Sequence, residues 1–145
     1  MVNKACKLFI DTWGWLCIWD NHQKRHEEVS DYYNSILKGK HVIFTTDFVL
    51  DETFTLLFKR LPYENAIEFV EIISESKKGL YLNVEKIDDE RFEKSISLRK
   101  KYNDKPDISF TDLTSMVIMK ELEINKILTG DAHFHHVGLG FQIVP

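Results

Sequence analysis

Four acidic residues stand beside short apolar runs, where carboxylates could act together on one substrate. Asp11 directly follows the run at 7–10, and Asp131 follows the run at 126–129. Glu52 lies in the helical segment that follows the apolar run at 41–45. Asp112 lies in the first turn of the helical segment that precedes the run at 126–129. Parallel strands direct the residues that follow them to one edge of a sheet, so these four acids are predicted to converge there.

Converging carboxylates predict a metal site. They repel one another strongly unless a cation lies among them, and hard oxygen ligands select Mg²⁺ or Mn²⁺. A cation held in this way can activate water and stabilise negative charge on a phosphate oxygen, which is what hydrolysis of a phosphodiester requires.

Each acid taken alone also has a structural explanation. Asp11 could cap the segment that begins at Thr12, and Asp131 after a glycine is a common turn residue. Ser109-Phe-Thr-Asp112 matches a capping box, and Glu52 could lie on a solvated helix face. The joint placement of the four acids favours the metal site over these separate explanations.

The strands that would position these acids are short apolar runs. Runs at 7–11 and 41–45 predict the first two strands, and alternation of Leu80, Leu82 and Val84 predicts a third. The run at 126–129 predicts a fourth, and 141–144 is a further apolar run after a histidine-rich loop.

Helices are predicted between these runs by the spacing of apolar residues. They are expected to end near Gly39, Pro62 and Gly79 and to run from a cap at Asp88 through Lys101. A last helix, with Asp112 in its first turn, is expected to present Leu113, Met116, Val117 and Ile124. Short strands alternating with helices are typical of an α/β sandwich, in which helices cover both faces of a parallel sheet joined by right-handed crossovers.

Composition is that of a globular protein. The chain has 145 residues, of which 43% are hydrophobic and 29% charged, so residues 1–145 are predicted to form one ordered domain. The net charge of −4 gives no overall attraction for nucleic acid, although bound divalent cations would reverse the local field of an acidic site.

Neither the N-terminus nor the cysteines indicate export. The stretch from Met1 to Lys7 is too short and polar for a signal peptide, and the apolar residues after it are interrupted by acids, so no membrane span is predicted. Cys6 and Cys17 are too few for a disulfide scaffold and are interpreted as reduced thiols of a cytoplasmic protein.

The order of the motifs resembles the PIN-domain family and, within it, the VapC-type toxins of bacterial and archaeal toxin–antitoxin pairs. No motif is specific alone, but their order and spacing are. The resemblance spans nearly the whole chain, and its pieces are Phe9-Ile-Asp-Thr12, Thr46-Asp-Phe-Val-Leu-Asp-Glu-Thr53, Ser109-Phe-Thr-Asp112 and Thr129-Gly-Asp-Ala-His-Phe134.

The resemblance implies a three-layer α/β/α fold with a five-stranded parallel sheet of order 3-2-1-4-5. It implies an endoribonuclease that uses Mg²⁺ or Mn²⁺ on an RNA substrate, is neutralised by a small antitoxin protein, and is compatible with a homodimer. Carried over by motif, the metal-holding acids are Asp11, Glu52, Asp112 and Asp131, and the hydroxyls that orient carboxylates, water or phosphate are Thr12, Ser109, Thr111 and Thr129.

Three positions depart from the motifs or leave a choice open. Trp13 follows Thr12 where many relatives carry a small hydroxyl residue, which would alter the shape of the substrate groove. Asp51 competes with Glu52, which is preferred because the residues after it fit the family's register better. Asp107 is a weaker candidate.

Histidines and tryptophans near the motifs are interpreted conservatively. His133, His135 and His136 have no cysteine nearby, so they are interpreted as solvated loop residues rather than zinc ligands, with His133 a candidate substrate contact. The three tryptophans that follow the first run are assigned to core packing: Trp13, Trp15 and Trp19. The alternative is that they form an aromatic groove that binds a base or a partner peptide.

Three other functions remain open from the sequence. A degenerate nuclease fold could bind RNA or protein without cutting, although all four acids are present. A nuclease could process RNA outside a toxin–antitoxin pair. A phosphate-ester hydrolase could use Asp11 as a nucleophile, but Trp13 stands where such an enzyme would carry a second aspartate.

Overall fold

The structure is a computed structural model that describes residues 6–145. Within that range it contains five strands and seven helices. In chain order they are β1 (Cys6–Ile10), α1 (Thr12–Trp19), α2 (His26–Lys38), β2 (His41–Thr46), α3 (Asp47–Arg60), α4 (Tyr63–Lys78), β3 (Leu82–Glu85), α5 (Asp89–Lys101), α6 (Phe110–Glu121), β4 (Lys126–Leu128), α7 (His133–His136) and β5 (Gln142–Val144).

All five strands belong to one parallel sheet with the order β3-β2-β1-β4-β5. In the centre, Phe9 of β1 lies opposite Phe44 of β2 on one side and Ile127 of β4 on the other. This confirms the predicted order 3-2-1-4-5. The order reverses between β1 and β4, so the carboxyl ends of these two strands open a crevice of the kind that binds ligands in such sheets.

The central strand is covered on both faces. Leu8, Phe9 and Ile10 are at most 1% exposed, and successive strand residues point to opposite faces. Helices therefore pack on both sides, which confirms the three-layer sandwich. The most enclosed helix is α6, in which every residue from Leu113 to Met119 is buried, as in a helix surrounded by other elements.

Helix α1 contains all three tryptophans and fixes Trp15 in the core. Trp15 is 2% exposed, its ring packs edge-on against Phe69, and its indole N–H donates to Thr45 Oγ1 at 3.1 Å. Trp19 is half-buried and donates to the Asn65 carbonyl at 2.8 Å. Core packing is confirmed for Trp15.

The third strand begins later than predicted. Leu80 was expected in this strand, but it lies before β3, has a φ of 63° and is 85% exposed. Its N–H donates to the Lys77 carbonyl at 3.2 Å, and the next N–H, of Tyr81, donates to the Ser76 carbonyl at 2.9 Å. These two bonds form a Schellman motif that ends α4, so Leu80 terminates a helix instead of extending a strand.

The histidine-rich segment was expected to be a loop and instead contains α7, a single helical turn from His133 to His136. His135 and His136 are exposed, and only His133 and the buried Phe134 turn inward. In the part of the chain that the structure describes, no helix has the length and apolar character needed to cross a membrane.

Candidate active site

A cleft of about 560 Å³ opens where the strand order reverses. Acids from four different elements line it: Asp11, Glu52, Asp112 and Asp131. Asp11 directly follows β1, Asp131 follows β4, Glu52 lies in the second turn of α3, and Asp112 lies in the first turn of α6. The structure thus brings together the four acids that the sequence predicted to converge.

Asp11 is the most deeply buried of these acids, with 4% of its surface exposed. Both carboxylate oxygens accept hydrogen bonds: the Gly14 N–H donates to Oδ1 at 2.9 Å, and the Thr129 hydroxyl donates to Oδ2 at 2.5 Å. Asp11 therefore caps α1, as its alternative explanation proposed, and also faces the cleft.

Burial raises the pKa of Asp11 from 3.8 to about 7. The hydrogen bonds from Thr129 and Gly14 act against this rise, and the charges of Asp131 and Glu52 add to it. A bound cation would favour the ionised carboxylate in this position.

Thr129 connects two of the acids. Its hydroxyl donates to Asp11 and accepts a hydrogen bond from the backbone N–H of Asp131 at 3.0 Å. One buried side chain thereby fixes the ends of β1 and β4 relative to each other.

A glycine allows α1 to start this close to β4. A Cβ on Gly14 would lie 2.5 Å from the Leu128 carbonyl oxygen, which is closer than real Cβ contacts. Any larger residue would push the start of α1 away from β4, and with it the N–H that holds Asp11.

Three residues form a second group, which we call the outer cluster: Asp112, Asp131 and His133. Each offers one carboxylate oxygen or ring nitrogen, and these atoms all lie within 4.8 Å of one another. The side chains of Asp131 and His133 are 32% and 31% exposed. The outer cluster is therefore open to a ligand in a way that Asp11 is not.

Asp112 lies in the first turn of α6, next to the N-cap residue Ser109, and its side chain belongs to the outer cluster. Its backbone N–H donates to Ser109 Oγ at 3.0 Å, which is the helix cap that the sequence indicated. Burial, the charge of Asp11, and the hydrogen bond and charge of Asp131 together raise the pKa of the Asp112 carboxyl to about 8, against a lowering by the hydrogen bond with Ser109. The side chain thus lies in a site where negative charge is poorly compensated by the protein.

The donor set fits a hard divalent cation. It consists of carboxylate oxygens and one imidazole nitrogen, and the mutual repulsion of the acids is the interaction that a cation would remove. The acids that would hold such an ion are Asp112 and Asp131, with Asp11 and Glu52 on the same cleft.

The predicted hydroxyl residues divide between two cavities. Thr12 and Ser109 line the acidic cleft, and Thr129 lies beneath it. Thr111 instead lines a neighbouring cavity of about 380 Å³, which it shares with Asp51 and Glu52.

Of the two weaker acidic candidates, Asp107 is exposed and lines the acidic cleft, whereas Asp51 is exposed and lines only the neighbouring cavity.

Sequence reasoning missed the cationic and amide groups of the cleft, Arg60 and Gln23. The signal for Arg60 was present, because Leu56 and Arg60 follow Glu52 by four and eight residues and so lie on a similar side of α3. Trp13 also lines the cleft. A Cβ on Gly130 would lie 2.3 Å from the Trp13 ring, so the indole packs directly on the backbone beside Asp131.

Comparisons of the sequence with a family model and with a curated protein agree on one family. The model of the PIN domain family matches residues 8–139, a range that includes all four acids. A curated VapC ribonuclease from Archaeoglobus fulgidus is 36% identical over 94 residues, which is 63% of this chain. The matched region spans 55% of that protein's length.

Two solved structures share the fold over most of their length. VapC20 of Mycobacterium tuberculosis, described as a sarcin-ricin loop cleaving toxin, is 25% identical with a TM-score of 0.81, covering 94% of this chain and 98% of its own. FitAcB from Neisseria gonorrhoeae is 14% identical with a TM-score of 0.61, covering 95% and 97%. The second likeness concerns the fold alone.

Proposed function

Because the chain belongs to the PIN domain family, we propose that it is a metal-dependent endoribonuclease that hydrolyses RNA phosphodiester bonds and acts as the toxin of a toxin–antitoxin pair. The observation that carries the proposal is the meeting of Asp11, Glu52, Asp112 and Asp131 in one cleft. The similarity to a VapC ribonuclease over 94 residues supports the same activity.

The catalytic cation is Mg²⁺ or Mn²⁺, held by the carboxylates of the cleft. When bound, such an ion makes a water molecule more acidic and stabilises negative charge on a phosphate oxygen. Asp112 and Asp131 bind the ion, and Asp11 and Glu52 complete its acidic surroundings. Thr129 keeps Asp11 oriented, and Thr12, Ser109 and Thr111 orient carboxylates, water or phosphate.

RNA must reach this cleft despite the net charge of −4. The bound cation offsets the charge of the acids, and Arg60 offers a positive group on the wall of the same cleft. Trp13 is half-buried beside Asp131, and the Arg25 guanidinium lies over its ring, 5.4 Å from the ring centre, so a second positive group lies next to the cleft.

The test is cleavage by the purified protein of a labelled single-stranded RNA and of an RNA with a sarcin-ricin loop, the element that VapC20 cleaves. We expect cleavage with Mg²⁺ or Mn²⁺ and none with excess chelator. Asp112→Asn, purified identically, controls for contaminating ribonucleases. Undiminished cleavage in chelator, or equal cleavage by Asp112→Asn, would contradict the proposal, and RNA binding without cleavage would favour the degenerate fold.

The antitoxin is expected to neutralise the cleft electrostatically. A short segment of that protein would cover the acids and insert an Arg or Lys among them, where its positive charge replaces that of the metal. A structure of the complex, or protection of Asp112 and Asp131 from carboxyl-modifying reagents, tests this. Acids left open to solvent in the complex would count against it.

A cytoplasmic location, a single domain over residues 1–145 and a homodimer remain predictions. Light scattering of the purified protein, alone and with its antitoxin, would measure the oligomeric state.

A further inference from the structure

We propose that His133 is a ligand of the divalent cation through its Nδ1 atom, and that this nitrogen makes the cleft prefer Mn²⁺ to Mg²⁺. The inference rests on the proposed function and deepens it, because it adds to the metal site a residue that the acidic motifs do not contain. It concerns the half-exposed first residue of α7.

The spacing of the ligand atoms is that of a coordination shell. His133 Nδ1 lies 2.9 Å from Asp131 Oδ1. In an octahedral site with bonds of about 2.1 Å, adjacent ligands lie about 3.0 Å apart and opposite ligands about 4.2 Å apart. Asp112, Asp131 and His133 place their donor atoms within 4.8 Å of one another, so a small adjustment of the side chains would bring all three onto one ion.

The Nδ1 atom of His133 is buried and lacks a hydrogen-bond partner among the described residues. The nearby Asp131 Oδ1 already accepts the backbone N–H of His133 at 2.9 Å, and the ring nitrogen approaches it without hydrogen-bond geometry. A cation bound by both atoms would give the ring nitrogen and the carboxylate oxygen a common partner.

The surrounding structure positions the ring for this purpose. The hydrogen bond from the His133 backbone to Asp131 fixes the start of α7 against the acid. Phe134, which is fully buried, anchors the same turn in the core. The two histidines that follow it on this turn, His135 and His136, are exposed, so only His133 is directed at the acids.

An imidazole ligand changes which metal the site favours. Mg²⁺ strongly prefers oxygen ligands and gives up its bound waters reluctantly, whereas Mn²⁺ accepts nitrogen more readily and follows the divalent transition metals in its affinities. A site of carboxylates and one imidazole should therefore bind Mn²⁺ more tightly than a site of carboxylates alone. Replacing the nitrogen by an oxygen should reduce that preference.

The experiment compares metal binding directly and does not depend on cleavage. Mn²⁺ and Mg²⁺ affinities are measured by calorimetry, and pulsed EPR of the Mn²⁺ protein reports whether a nitrogen is bound to the ion. The variants are His133→Asn, which offers an oxygen in place of Nδ1, the matched control His135→Asn on the exposed side of α7, and Asp112→Asn.

We expect the wild-type Mn²⁺ spectrum to show a directly bound nitrogen that His133→Asn loses and His135→Asn keeps. The Mn²⁺ affinity of His133→Asn should fall about tenfold, with a much smaller change for Mg²⁺. Asp112→Asn should weaken the binding of both metals.

Two results would overturn the assignment of His133. One is a wild-type spectrum without a bound nitrogen, a measurement that needs no variant to fold. The other is a nitrogen signal that persists in His133→Asn. In either case loss of metal binding in Asp112→Asn would leave the proposed function standing, whereas tight metal binding that Asp112→Asn does not weaken would overturn the metal site itself.

Discussion

Asp11 and the outer cluster lie on the same cleft, but they differ in exposure and in the number of hydrogen bonds that the protein donates to their carboxylates. Asp11 is 4% exposed, and protein donors occupy both of its oxygens. In the outer cluster, Asp131 and His133 are about one-third exposed, and one potential ligand atom from each of the three residues lies within 4.8 Å of the others. The fold itself satisfies Asp11, whereas the outer cluster requires a ligand to be satisfied. Asp11 is therefore held in place by the fold, and the outer cluster is the part of the cleft that a ligand reaches more easily.

The largest effect is expected from Asp112→Asn. The amide keeps the shape of the side chain and the backbone cap at Ser109 but removes the charge that a hard cation needs. RNA cleavage per folded molecule should fall about a hundredfold to a thousandfold, with extra Mn²⁺ restoring part of it. A residue that only caps α6 would instead cost about 1 kcal/mol of stability and leave cleavage intact.

Asp11→Asn should lower cleavage in the same way, since Asp11 faces the same cleft from its buried side. Near-normal cleavage by both variants, with circular dichroism showing that they are folded, would mean that the active site lies elsewhere.

A smaller effect is expected from Thr129→Val, which removes the hydroxyl that donates to Asp11 and accepts from the Asp131 backbone. Leaving these buried groups without their partner should lower the free energy of unfolding by about 1–3 kcal/mol. Cleavage should fall about tenfold to a hundredfold because Asp11 loses its orientation.

Thr129→Ser retains the hydroxyl and is the matched control for that experiment. It should recover most of the cleavage, although the missing methyl group costs some stability. If the valine variant cleaves as well as the wild type, Thr129 supports only the fold.

The stability of the metal-free protein should fall as the pH rises. The pKa is raised from 3.8 to about 7 for Asp11 and from 3.8 to about 8 for Asp112. Between pH 3.8 and these raised values, the folded protein therefore holds more protons than the unfolded chain. The stability that these two groups contribute is therefore fully present below the unfolded-state pKa of 3.8 and is lost as the pH rises through the folded-state values. The melting temperature should be lower at about pH 8.5 than at about pH 5.5.

Mn²⁺ or Mg²⁺ should raise the melting temperature mainly at the higher pH, where the carboxylates are ionised and can bind it. In Asp112→Asn the pH dependence without metal should be weaker, because one of the two titrating groups is gone. A melting temperature that rises steadily over this range would contradict the assignment of these acids as a destabilising group.

The smallest effect is expected from Asp51→Asn. Asp51 is exposed and does not line the acidic cleft, so its replacement should change cleavage by no more than about twofold. Glu52→Gln on the adjacent residue is the matched comparison and should lower cleavage about tenfold. Equal effects of the two variants would show that both acids of α3 contribute.

Much of this arrangement could be predicted because it follows from chain-wide patterns. Alternation of apolar strands and helices indicates the sandwich, and acids that follow parallel strands must lie at one edge. Asp11 and Asp131 follow adjacent strands. Their convergence therefore needed only the strand order, which the resemblance to the PIN-domain family supplied.

What escaped prediction depends on local backbone geometry. Leu80 fits the alternation of a strand, yet two hydrogen bonds at the end of α4 hold it in a left-handed turn. His133 looked like a solvated loop residue because the single turn of α7 that directs it toward Asp131 leaves no periodic signal in the sequence.

The contact between Thr129 and Asp11 joins residues 118 positions apart. Pairing β1 with β4 closes a loop of that length, and such distant contacts form late in folding and cannot form at all before the second partner has been synthesised. Asp131 leaves the ribosome still later than Thr129. A growing chain therefore carries Asp11 and Glu52 for most of its synthesis without the residues that complete the cleft, and the four acids can meet only when nearly the whole chain has been made.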